Sequence, residues 1–156
     1  MGISKKTVLL AGATGLVGNA VLQQCLSDRS IAAVIVPTRR PVGIKHPKLH
    51  NIVMDLVAGD NGEPSAGLAE AIAKASGGKV DAYISALGTT IKTAGSREAF
   101  IAVDRDLVVR FAEIAKQQNA KQIVFVSSVG ATRQTSNFYL RVKGETEDLL
   151  ERMKFH

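Results

Sequence analysis

Three regularly spaced glycines at one strand–helix junction restrict this chain to a small set of folds. A compact apolar run at residues 7–11 ends directly in glycine, and a helical pattern of apolar residues follows over 16–27. The first glycine of such a junction allows a sharp turn, and the second lets a pyrophosphate approach the backbone. The third lets the helix pack tightly on the strand.

The start of the helix after this turn supplies free N–H groups and the positive end of its dipole, which together bind phosphates. The alternative is a plain tight turn that needs glycine for its geometry alone. We expect a dinucleotide on the seven residues of the junction, Gly12, Ala13, Thr14, Gly15, Leu16, Val17 and Gly18.

Short apolar runs alternate with helical patterns along the rest of the chain. The predicted strands are 7–11, 32–36 (stopped by Pro37), 51–54, 80–86 and 123–126. The predicted helices are 16–27, 68–75, 96–118 and 139–153, and residues 59–67 are predicted as a polar loop. Strands that are apolar throughout are buried on both faces, and intervening helices make them parallel. The pattern predicts one α/β domain over 1–156, a doubly wound parallel sheet in the order 3-2-1-4-5.

The end of the second strand indicates which dinucleotide is bound. NAD-binding domains usually carry a carboxylate there for the ribose 2′-hydroxyl, whereas this chain has Arg39 and Arg40. Guanidinium groups bind a 2′-phosphate through charge-assisted hydrogen bonds, so NADP(H) is favoured. Asp55, after the third strand, is a candidate for the adenine edge. The alternatives are arginines that are only solvated loop charges and a loop carboxylate without a ligand.

A second candidate group follows the fifth strand. Tyr139 and Lys143 are four residues apart in a predicted helix, so they share a face. An ammonium beside a phenol favours its ionised form, which lets the phenol exchange a proton with a carbonyl or hydroxyl group. Ser128, or its neighbour Ser127, would bond the substrate oxygen, and Lys143 would also hold the nicotinamide ribose. The alternative is an ordinary amphipathic helix start with capping serines.

Composition indicates which class of partner and which cellular compartment to expect. The net charge is +6, but basic residues form only short pairs, so nucleic-acid binding is not expected. The only cysteine, Cys25, and the absence of a secretory signal favour the cytoplasm. No apolar run approaches the ~20 residues of a membrane span, and the three scattered histidines predict no metal site.

The chain resembles the short-chain dehydrogenase/reductase superfamily, and more narrowly its atypical Tat-interacting-protein-like branch. The resemblance is densest over 86–90, 103–106, 127–131 and 137–145. It implies a Rossmann-type NADP(H)-binding fold, with Leu87 and Gly88 on the nicotinamide-ribose side and Asp104 where related reductases often carry a structural Asn. It also implies Ser128, Tyr139 and Lys143 as the catalytic group.

Two features depart from this family pattern. Ser128 precedes Tyr139 by 11 residues, slightly fewer than in classical members. The sequence also stops where a sixth strand and a substrate-facing portion are expected, which indicates either a fragment or an unusually short protein that lacks later strands. From the glycine turn, the two arginines and the serine–tyrosine–lysine group together, we expect an NADP-dependent oxidoreductase acting on a small carbonyl or alcohol substrate. The alternative is an NADP(H)-binding sensor or regulator with a protein partner and little catalysis.

Overall fold

The structure is a computed structural model that describes residues 4–58 and 62–155. Its strands are β1 (Lys6–Ala11), β2 (Ile31–Thr38), β3 (Leu49–Val53), β4 (Val57–Ala58), β5 (Glu63–Pro64), β6 (Ala82–Ser85) and β7 (Gln122–Phe125). Its helices are α1 (Leu16–Ser27), α2 (Leu68–Ser76), α3 (Ile91–Ala94), α4 (Arg97–Ile101), α5 (Val108–Gln117) and α6 (Phe138–Arg152), with a π-helical turn at Ala102–Leu107. Within these described residues, no helix is long and apolar enough to cross a bilayer.

Five parallel strands form the central sheet in the order β3-β2-β1-β6-β7. This confirms the predicted order, since β6 and β7 are its fourth and fifth strands. Successive residues of β1 pack on opposite faces: Leu9 faces one apolar core with Phe111 of α5, and Leu10 faces another with Leu22 of α1. Burial on both faces explains why these strands are apolar throughout.

Pro37 does not stop β2, contrary to the prediction. The strand continues to Thr38, and Pro37 is in register with Ile52 of β3. Beyond Ile35, β2 pairs with β3 alone. Proline is tolerated there because one side of the strand has no ladder partner.

The predicted polar loop at 59–67 also differs in part. Residues 59–61 lie outside the described residues, but β5 lies within this region and pairs antiparallel with β4, which precedes it. Because each partner contributes only two residues, this ladder leaves no periodic pattern that a sequence could show.

The helix predicted over 96–118 is interrupted by the π-helical turn between α4 and α5. A π turn adds a residue to one turn of helix and so rotates the remainder of the helix about its axis. Here it turns Asp104 fully into the interior, whereas Val103 is only partly buried. At its end, the Val108 carbonyl accepts a hydrogen bond (3.1 Å) from the hydroxyl of Tyr83, whose pKa is raised by complete burial.

Candidate functional site

The glycine turn connects β1 to α1 at the carboxyl edge of the sheet. Gly12 has a φ of +84°, and a Cβ there would overlap the backbone of Ala86. A Cβ on Gly18 would overlap the Gly12 carbonyl, so both glycines are required by packing. At Gly15 the nearest atom would be 3.6 Å away, which is ordinary contact. Packing therefore does not explain Gly15, whose open face fits a pyrophosphate lying against the backbone.

The start of α1 is suited to an anion. Gly15 is its N-cap residue and offers no side-chain cap, and the first turn contains no acidic residue. Leu16 and Val17, the next two residues, are largely exposed. The first N–H groups of the helix therefore meet no capping side chain from this residue and no carboxylate that would repel phosphate.

A cleft of about 900 Å³ opens beside this turn along the carboxyl ends of β1, β2 and β6. It brings together nine of the residues predicted to bind the cofactor, namely Gly12, Ala13, Thr14, Gly15, Arg39, Arg40, Asp55, Leu87 and Gly88. Its lining does not include Leu16, Val17, Gly18, Ser128, Tyr139 or Lys143. The two halves of the predicted site are therefore placed differently, with the cofactor half in the cleft and the catalytic half beside it.

The far end of the cleft is positively charged. Arg39 and Arg40 are both exposed there, and among the described residues no carboxylate lies within ion-pair distance of either. Asp55 lines the same end and is also exposed. The guanidinium groups are thus available to a phosphate in the cleft.

Tyr139 and Lys143 lie in the first half of α6. The N-cap residue of this helix is Asn137, whose side chain accepts a hydrogen bond from the Leu140 N–H (3.0 Å). The Tyr139 side chain is 38% exposed, and its ring centre lies 5.8 Å from that of the buried Phe100. The Lys143 Nζ is 5.8 Å from the centre of the Tyr139 ring. The structure therefore brings the predicted pair together, with the phenol partly open to solvent and the ammonium beneath it.

The partner of Lys143 is a residue that the sequence did not single out as catalytic or cofactor-binding. The Nζ atom lies 3.2 Å from Asp104 Oδ1, and the two side chains are 4% and 0% exposed. Asp104 Oδ2 accepts the Thr89 N–H at 3.0 Å, and Thr89 lines the cleft. Burial raises the pKa of Asp104, opposed by the Lys143 ammonium and the Thr89 N–H. The signal in the sequence was a carboxylate inside the apolar repeat of a predicted helix.

The two serines after β7 are both partly buried, and they differ in the surroundings of the hydroxyl. The hydroxyl of Ser127 is buried and has no hydrogen-bond partner among the described residues. Ser128 is partly buried, and its carbonyl accepts the Ala131 N–H (3.1 Å) at the following turn. Both serines remain candidates for bonding a substrate oxygen. Within residues 4–58 and 62–155, no group of three or more His, Cys, Asp or Glu side chains could hold a metal ion.

Comparison with known proteins identifies the group to which this architecture belongs. A family model described as NAD(P)H-binding matches residues 12–155. The chain belongs to this NAD(P)H-binding family. Protein HTATIP2 of Rattus norvegicus is 32% identical over 153 residues, and the mitochondrial protein FMP52 of Candida albicans is 32% identical over 149 residues. These matches confirm the resemblance expected from the sequence.

The matches cover 98% and 96% of this chain but only 60% and 62% of the two relatives. The chain thus spans about three fifths of their length. The functions of the full-length relatives are therefore only proposals for this chain.

Solved structures share the fold. The oxidoreductase ylbE of Lactococcus lactis superposes with a TM-score of 0.66 at 17% identity, covering 95% of this chain and 64% of that one. A short-chain dehydrogenase/reductase superfamily protein of Agrobacterium tumefaciens with bound NAD has a TM-score of 0.68 at 20% identity, covering 94% and 44%. The Bordetella bronchiseptica enzyme WbmH in complex with NAD+ reaches 0.72 at 17% identity, covering 95% and 53%.

Proposed function

We propose that this protein binds NADP(H) and acts as an oxidoreductase on a small carbonyl or alcohol substrate. The observation that carries the proposal is the cleft, which has the glycine turn along one wall and Arg39 and Arg40 at its far end, neither of them paired with a carboxylate of the described residues. The cofactor, when bound, supplies the hydride chemistry, and the protein binds and orients it. The residues fit such a ligand, because Gly15 leaves the backbone open and the arginines match a second phosphate.

The residues beside the cleft would transfer a proton to the substrate oxygen. Tyr139 is the proposed donor to the substrate oxygen, and it is accessible at 38% exposure. The Lys143 Nζ lies 5.8 Å from the centre of the Tyr139 ring, and Lys143 is the proposed anchor of the nicotinamide ribose. Ser128 or Ser127 would hold the same substrate oxygen, and no described residue bonds the Ser127 hydroxyl. Proton transfer by a positioned side chain is worth about 10²–10⁴ in rate.

The test is NADPH oxidation by the purified protein with a panel of aldehydes, ketones and quinones. Tyr139→Phe keeps the ring contact with Phe100 but removes the hydroxyl, so we expect turnover to fall at least about 100-fold. Tyr83→Phe is the matched control, because it removes the other tyrosine hydroxyl, which bonds the Val108 carbonyl in the core. Unchanged turnover in Tyr139→Phe would contradict the assigned mechanism.

A second candidate function is an NADP(H)-binding sensor or regulator that acts through a protein partner. It is favoured by one observation: Lys143 is 3% exposed and paired with Asp104, and neither Lys143 nor Tyr139 lines the cleft. This function requires NADPH binding without turnover on any carbonyl substrate, and binding that Tyr139→Phe leaves unchanged. Measurable turnover that depends on Tyr139 excludes it.

We also propose that the protein works in the cytoplasm. The support is Cys25, a free and buried thiol, which suits a reducing compartment. The FMP52 relatives carry "mitochondrial" in their names, so mitochondria are the competing location. Fractionation of cells that express the tagged protein distinguishes the two.

A further inference from the structure

The side chain of Asn51 joins the two ends of the segment that carries the cleft arginines. Its Nδ2 donates to the Val36 carbonyl and to the Thr38 Oγ1, both at 2.8 Å. Its Oδ1 accepts the Val42 N–H at 3.0 Å. Three hydrogen bonds from one amide thus connect the end of β2, the middle of β3 and the loop between them.

These hydrogen bonds hold the residues on either side of Arg39 and Arg40 in the sequence. Thr38 precedes the two arginines and is buried at 5% exposure, and Val42 follows them after one residue. The Thr38 carbonyl is held separately by the Met54 N–H at 2.9 Å. The arginine side chains are exposed and long, so their backbone must be fixed if they are to meet a phosphate at a defined place.

Among the residues that the structure describes, the Asn51 amide makes no side-chain hydrogen bond besides these three. Asn51 is partly buried in the middle of β3, in register with Val36. Asparagine is depleted in strands, where β-branched residues pack better. Asn51 uses both ends of its side chain on the arginine loop.

We propose that Asn51 is the positioning residue for recognition of the cofactor's 2′-phosphate. Its amide holds the 38–42 turn in the one conformation that presents Arg39 and Arg40 to the cleft. The inference rests on the proposed NADP(H) function and extends it to a residue that does not line the cleft. Asn51 touches no ligand, and its effect passes entirely through the arginines.

The test is the ratio of the NADH and NADPH dissociation constants, titrated for wild type and Asn51→Leu. Leucine has a similar size but cannot make the three hydrogen bonds. Loss of one charge-assisted contact between an arginine and the phosphate should lower NADPH affinity at least about tenfold. NADH lacks the phosphate, and its affinity should change less than about twofold. Hydrogen exchange at the Val42 amide should accelerate in the variant, since that N–H bonds the Asn51 side chain.

Lys48→Met is the matched control. The Lys48 Nζ donates to the Leu26 and Asp28 carbonyls at 3.0 and 2.6 Å, so this variant also loses bonds between elements, but away from the cleft. Its NADH/NADPH ratio should equal that of the wild type. Should Asn51→Leu fold poorly, Asn51→Thr suits a strand and is too short to bridge both ends of the turn.

The outcomes separate this inference from the proposed function. A wild-type preference for NADPH that survives in the Asn51 variants, or an equal loss of both cofactors, overturns the role of Asn51 and leaves the NADP(H) proposal standing. A wild-type protein that binds both cofactors equally overturns the NADP(H) proposal and this inference together.

Discussion

Replacing Lys143 with methionine would leave the Asp104 carboxylate buried without its partner. The two charged atoms lie 3.2 Å apart, and their side chains are 4% and 0% exposed, so solvent screens the pair very little. At an effective dielectric constant near 20, charges at this distance attract by about 5 kcal/mol. Removing one partner of a buried pair typically costs about 3–5 kcal/mol, because the remaining charge cannot be hydrated. We expect Lys143→Met to lose stability within that range.

Urea denaturation followed by circular dichroism measures this loss. For a chain of this size, 3–5 kcal/mol corresponds to a fall in Tm of about 6–20 °C. The second variant is Lys143→Met with Asp104→Asn, in which a neutral amide of the same shape replaces the stranded carboxylate. We expect it to recover at least about 2 kcal/mol, because the penalty belongs to the charge. A loss under about 1 kcal/mol in the single variant, or no recovery in the double, would refute this reasoning.

The same variants should differ in their response to pH. Burial already raises the pKa of Asp104, and removing the ammonium removes an interaction that lowers it. A carboxyl group whose pKa is higher in the folded state than in the unfolded state contributes stability that is complete below its unfolded-state pKa. That contribution is lost as the pH rises through its folded-state pKa. The deficit of Lys143→Met should therefore shrink as pH falls from neutrality towards the ordinary value of 3.8. A deficit independent of pH would mean that Asp104 is not the stranded group.

Two further predictions concern the cleft. Gly15→Ala should fold normally, since a methyl group there meets only the Gly12 carbonyl at 3.6 Å, but it should bind NADPH at least about tenfold more weakly because the methyl group would occupy the pyrophosphate's place. Gly18→Ala, whose methyl group would overlap that carbonyl, should instead lose stability. Equal effects of the two variants in denaturation and in binding would contradict this distinction. Arg39→Gln should weaken NADPH about tenfold and leave NADH unchanged, as measured by titration at low and high salt; equal weakening of both cofactors would remove the case for a 2′-phosphate contact.

The sheet, and the position of most proposed cofactor residues along one cleft, were predictable because short stretches of sequence determine them. Apolar runs separated by helical patterns specify buried parallel strands, and the spacing of Gly12, Gly15 and Gly18 reflects one turn and one helix start. Arg39 and Arg40 were predictable for the same reason, since they directly follow a strand.

The remaining features depend on residues that are distant in sequence. The π-helical turn buries Asp104 beside Lys143, 39 residues further along the chain, and neither residue alone indicates the pair. Asn51 was the first residue of the strand predicted over 51–54, which the structure places at Leu49–Val53, but its use became visible only with the arginine loop folded against it. The placement of Tyr139 and Lys143 beside the cleft rather than in its lining likewise depends on how α6 packs.

The contrast between the two tyrosines also makes the protein a spectroscopic reporter of its own site. The chain contains two tyrosines and no tryptophan, so tyrosine dominates its intrinsic emission. Tyr83 is fully buried and hydrogen-bonded, out of reach of a dissolved quencher, whereas Tyr139 is partly exposed at the candidate catalytic position. Quenching by iodide or acrylamide therefore reads Tyr139 almost alone. A ligand that covers this residue will be detectable without any label.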